Sequence, residues 1–106
     1  MQKYILPDDM SVKNAVHEDS PEFLLKEADR HYTIGNYDKA LDNYHRVLTN
    51  GAKYPDVYNK IGIIHNHIGR HYEAIEAFKN ALRLNARYLD AIINLGIVYA
   101  DLSDEV

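Results

Sequence analysis

Residues 21–54 read PEFLLKEADRHYTIGNYDKALDNYHRVLTNGAKY, and residues 55–88 read PDVYNKIGIIHNHIGRHYEAIEAFKNALRLNARY. Set against each other, they match at Pro21/Pro55, Lys26/Lys60, His31/His65, Ile34/Ile68, Gly35/Gly69, Ala40/Ala74, Leu48/Leu82, Ala52/Ala86 and Tyr54/Tyr88. That is nine identities in 34 positions, where ordinary composition gives roughly two. Leu41/Ile75, Asp42/Glu76, Tyr44/Phe78 and Lys53/Arg87 are conservative pairs in the same frame, and Asp56/Asp90, Gly62/Gly96 and Ile63/Ile97 carry the register into a third copy from Leu89. A period of this length means stacked supersecondary units, each covering an apolar face of the next.

Within each copy the punctuation is that of two helices. Ser20-Pro21-Glu22 offers a hydroxyl cap, a proline where the missing N–H does no harm, and an acid in the first turn. Leu24, Leu25, Ala28 and Tyr32 recur at helical spacing until Gly35, and Asn36 opens a stripe of Tyr37, Ala40, Leu41, Tyr44, Val47 and Leu48 that Asn50-Gly51 ends. Pro55 starts a third helix that Gly69 stops; a fourth is expected near 71–84 and a fifth from Leu89. Ile61, Ile63 and Ile64 locally favour strand, but strict alternation is missing and the flanks are helical. The fold class is therefore all-α: a helix-turn-helix solenoid of about two and a half repeats. Its expected parts are residues 21–54, residues 55–88, and residues 89–106 as the first helix of a truncated third unit. Residues 1–20, with Pro7 and four acids, are expected to form a mobile arm or short helix.

Composition removes several functions. The chain has 106 residues with 12 Lys+Arg against 16 Asp+Glu, a net charge of −4 that argues against binding nucleic acid or anionic membrane. There is no cysteine, hence no disulfide or thiolate chemistry, and the apolar runs fall far short of the ~20 residues that cross a bilayer. With no secretory signal visible, a cytoplasmic location is expected. Of the six histidines, His65 and His67 project about 200° apart on a helix, and Gly69 breaks the helix between His67 and His71, so no metal or other cofactor is expected. Asp8-Asp9 and Asp104-Glu105 read as solvated charge, and no phosphate-cradling loop or nucleophile elbow occurs. An enzyme is not expected.

The repeat resembles the tetratricopeptide family, whose 34-residue pattern is W-x₂-L-G-x₂-Y followed by A-x₃-F and a proline. The third copy supplies Ile92, Leu95-Gly96 and Tyr99; the second, Tyr58, Ile61-Gly62, His65, Ala74 and Phe78; the first, Leu24, Glu27-Ala28, His31, Ala40 and Tyr44. It departs in Glu27, an acid in an apolar slot, and in Ala52 and Ala86, which replace the closing proline. The resemblance implies a right-handed solenoid with a concave groove lined by the first helix of each unit. That groove would hold Leu25, Asp29 and Tyr32, then Asn59, Ile63 and Asn66, then Asp90, Ile93, Asn94 and Ile97.

These groups suit a protein or peptide with apolar anchors, uncharged or basic. The family's clamp for acidic C-termini needs other residues at Leu25, Asp29, Lys60, Asp90 and Asn94, so an acidic C-terminal ligand is not expected. The asparagine ladder of sugar-transferring members is absent as well, since Lys26 and Lys60 stand in the slots equivalent to Asn94. The resemblance thus implies a non-catalytic interaction module, with a regulatory segment of a larger enzyme and a self-assembly unit as alternatives. At the C-terminus, Ser103-Asp104-Glu105 resembles the start of another helix, and Leu95, Tyr99 and Leu102 are expected on an open edge that would favour a homodimer, alone or with the N-terminal arm.

Overall fold

The computed structural model describes residues 20–105, and the arm expected over residues 1–19 lies outside them. Five helices make up 81% of the described residues, with no strand among them. They are α1 (Pro21–Thr33), α2 (Tyr37–Thr49), α3 (Pro55–His67), α4 (His71–Leu84) and α5 (Leu89–Glu105). The chain falls into two compact units, the first ending at Ala52 and the second beginning at Lys53.

In the first unit α1 packs on α2. The Ser20 hydroxyl accepts from the Phe23 amide at 3.1 Å, satisfying one of the orphan donors of the first turn. Gly35, at φ 80°, reverses the chain: its N–H bonds the Tyr32 carbonyl at 3.1 Å and the Asn36 N–H bonds the His31 carbonyl at 2.8 Å. Only glycine takes this left-handed conformation without cost. Leu24 and Ala28 from α1 and Ala40, Tyr44 and Val47 from α2 are buried. Glu27, in the slot where the second repeat has Ile61, is half-buried and turns its carboxylate to Arg30 Nη2 at 2.8 Å. That bond holds the Glu27 carboxyl below its ordinary pKa.

The second unit repeats the turn, with Gly69 at φ 87° and matching bonds to Asn66 and His65. Its core joins Ala74, Phe78 and Ala81 of α4 with Ala91 and Val98 of α5. Gly62 is what lets α3 and α4 approach: a Cβ built on it would stand 2.5 Å from Phe78 Cε1, so the ring lies directly on the α3 backbone. The α4–α5 connection differs from its counterpart in the first unit. Asn85 replaces Gly51 and takes extended backbone (φ −146°), its side chain accepting from the Arg87 amide at 3.1 Å.

Two expectations for α5 are corrected. Ser103, Asp104 and Glu105 do not open a new helix; they are the last turn of α5. Leu95 and Leu102 are not on an open edge either. With Ala91 and Val98 they form one stripe at 4-3-4 spacing, and both pack against the core. The large exposed apolar side chains of α5 are Leu89, Ile92, Ile93, Ile97 and Tyr99.

Candidate functional site

Three helices of the second unit converge on a pocket of about 220 Å³, lined by Ile63, Asn66 and His67 of α3, Phe78 of α4, and Asn94 and Ile97 of α5. Phe78 is 1% exposed and forms apolar floor; Ile97 is 47% exposed and stands at the rim. Four of the residues expected in the groove, Ile63, Asn66, Asn94 and Ile97, are thus brought together, while Asp90 and Ile93 are exposed on α5 and do not line the pocket.

The amides are held in place. Asn94 Nδ2 donates to Asn59 Oδ1 at 3.0 Å, and Asn66 Nδ2 donates to Asp101 Oδ2 at 3.0 Å, both bonds linking α3 to α5. A carboxylate only accepts, which fixes the amide orientation of Asn66 and leaves its Oδ1 facing His71 Nδ1 at 2.6 Å. The His71 proton in this contact therefore sits on Nδ1. The Asn94–Asn59 bond uses one of the two amide hydrogens of Asn94, leaving the other and the Oδ1 carbonyl for a ligand. Neither His71 nor Asp101 was expected at this site. The signal was their register: His71 lies one turn past the end of α3, and Asp101 lies a full repeat after His67.

Asn59 is a correction. It is 5% exposed and its carbonyl is committed to Asn94 on α5, so it holds Asn94 in place rather than facing a ligand. Burial, then the charges of Asp56 and Asp90, push the Tyr88 phenol above its ordinary value near 10, against smaller opposing effects of Lys60 and Asn59.

The first unit's residues at the matching positions are spoken for differently. Asp29 is half-buried and accepts from the Tyr44 hydroxyl at 2.5 Å. Tyr44 is 0% exposed, so its hydroxyl needs an acceptor, and Asp29 provides it. The equivalent pair one repeat on, Ile63 and Phe78, is wholly apolar. The correlated change was visible in the aligned repeats and reads Asp29 as Tyr44's partner before it reads it as a ligand contact. Tyr32 and Tyr37 stack tilted, centroids 6.2 Å apart at 53°, in the slots where the second unit has Asn66 and His71. Leu25 is half-buried.

Among the described residues no group of three or more His, Asp or Glu side chains is placed to hold a metal ion. No helix among them is long and apolar enough to cross a membrane. No protein-family model matches the sequence, and no curated protein matches it. Among solved structures, the crystal structure of MamA, a tetratricopeptide-repeat protein, is similar at 27% identity with a TM-score of 0.76. The match covers 81% of this chain and 50% of that one, so the chain spans half the length of the structure it resembles. The chain has a tetratricopeptide-like helical-repeat fold.

Proposed function

We propose that this chain is a non-catalytic protein-interaction module whose second unit seats a side chain of a partner peptide in the α3–α4–α5 pocket. The carrying observation is the pocket itself: an apolar floor of Phe78 and Ile63 beside two amides fixed in orientation by neighbours. An apolar anchor gains from leaving water, and the remaining amide hydrogen and carbonyl of Asn94 match the donor and acceptor of a peptide bond. Asp101 and Asp90 on the same helix favour an uncharged or basic peptide over an acidic one. A cytoplasmic setting belongs to the same proposal. MamA's fold supports a scaffold role rather than catalysis.

The test is a peptide-array screen with the full chain, followed by NMR on the hits. Binding peptides should shift the side-chain amide signals of Asn66 and Asn94, and Ile97→Asp should weaken them at least tenfold. Hits that leave both amides unmoved and ignore Ile97→Asp refute the pocket as the site.

A further inference from the structure

The two polar bonds beside the pocket form a ladder. Asn94 with Asn59 and Asp101 with Asn66 each join residues 35 apart in sequence, and the second rung lies seven residues beyond the first on both helices. Within the second unit α3 and α5 therefore run parallel, and the rungs stand about 10 Å apart along them. Ile63 and Ile97 fall between the rungs and line the pocket. Asn94, Ile97 and Asp101 lie within an arc of about 60° on α5, so the rungs and the pocket share one face.

The rungs differ in charge. The first is amide on amide; the second is amide on carboxylate, which puts a full negative charge at one end of the pocket. Asn66 is neutral, so its bond orients the Asp101 carboxylate without cancelling that charge. Asp101 is half-buried, and among the described residues only Asn66 donates to its carboxylate, through Oδ2, which leaves Oδ1 open. Asp90 lies on the same stripe, about 6 Å before Asn94, but it is exposed, a solvated charge that steers a ligand without selecting it.

We infer, on the reading of the pocket given above, that Asp101 sets its specificity by selecting a peptide with Lys or Arg within two residues of the apolar anchor. The spacing follows from the helix. Ile97 at the rim lies about 6 Å along α5 from Asp101, and two residues of extended chain cover up to about 7 Å. A carboxylate already oriented by Asn66 loses little freedom on holding a cation, and half-burial makes the attraction stronger than in bulk water. An acid at the same place in the peptide meets like charge, so one residue both selects and rejects.

The probes are three fluorescein-labelled nonapeptides with Gly-Ser ends and a central Leu flanked by Ala. Lys, Gln or Glu stands at both positions two residues from the Leu. They are titrated with the full chain by anisotropy at pH 8, which keeps imidazole charge out of the comparison. The Lys peptide should bind threefold to tenfold more tightly than the Gln peptide, with the Glu peptide weakest, and should shift the Asn94 side-chain amide by NMR. Asp101→Asn keeps an acceptor for Asn66 and should melt like the parent, yet bring the Lys and Gln peptides within twofold of each other. Asp104→Asn removes the same charge from an exposed site and should leave the preference for Lys intact. Three peptides that bind alike while shifting Asn94 overturn this inference and leave the pocket standing. A preference for Lys that survives Asp101→Asn, or that Asp104→Asn also abolishes, assigns it to the general field of the helix and overturns it too. So does a Lys peptide that fails to bind, in which case the array screen still judges the pocket separately.

Discussion

Gly62 and Gly96 occupy the same repeat position 34 residues apart, and replacing each by alanine should move stability in opposite directions. At Gly62 the new methyl would stand 2.5 Å from Phe78 Cε1 and 2.7 Å from Cδ1 and Cζ. Carbon atoms rest at roughly 3.5–4.0 Å, so about 1 Å of separation has to be found. Phe78 is 1% exposed, so either the ring is pushed toward the pocket it floors or the α3 and α4 axes part. Overpacking of this kind costs about 1–3 kcal/mol, against a gain of about 1 kcal/mol from replacing a helical glycine by alanine. The net expectation for Gly62→Ala is a loss of up to about 2 kcal/mol. Gly96→Ala meets nothing and keeps the helix-propensity gain of up to about 1 kcal/mol. For a domain of this size each kcal/mol moves the melting temperature by roughly 4–8 °C. Thermal melts followed by helical circular dichroism should therefore put the two variants on opposite sides of the parent. Phe78→Leu should recover part of the Gly62→Ala loss, because the smaller side chain vacates the contact. Shifts of the same sign for both alanines, or a Phe78→Leu effect that simply adds, would refute the reasoning.

Asp29→Ala should destabilise by about 1–3 kcal/mol in urea melts by removing an acceptor of the buried Tyr44 hydroxyl, whereas the double variant Tyr44→Phe/Asp29→Ile, which installs the second repeat's apolar pair, should recover most of it. Gly51→Leu, at φ 88° with open space around it, meets only backbone strain of roughly 1–2 kcal/mol and should cost less than Gly62→Leu in parallel melts. Asn59→Ala should cost about 1 kcal/mol and loosen Asn94, read as a shift of the Asn94 side-chain amide by NMR. The raised pKa of Tyr88 means that the fold favours its neutral phenol, so its stabilising contribution is full below pH ~10 and is lost as pH rises through the folded value. Tyr88→Phe should accordingly flatten the alkaline limb of the stability–pH profile, and an unchanged limb would assign that loss to other tyrosines.

The helices and their turns were written locally. Ser20-Pro21, Gly35, Gly51, Pro55 and Gly69 fix starts and reversals through the backbone conformations they permit, and those depend on nearest neighbours alone. The 34-residue repeat likewise lay open to simple alignment, whereas the seating of the Phe78 ring directly on Gly62 did not. What the sequence left open was which face of a helix is covered when more than one is apolar. On α5, Ala91, Ile92, Ile93, Leu95, Ile97, Val98 and Tyr99 surround most of the axis, so periodicity names several stripes and chooses none. The choice of Ala91, Leu95, Val98 and Leu102 was made by the helices against which α5 packs, and it put Leu95 and Leu102 inward and Ile92 and Tyr99 outward. Polar partners were decided the same way. Whether Asn59 faces a ligand or Asn94, and whether Asp29 faces water or Tyr44, depends on atoms brought within 3.0 Å from 35 and 15 residues away. A hydrogen bond across such distances exists only once the chain has closed, because its strength turns on tenths of an ångström that no local pattern encodes.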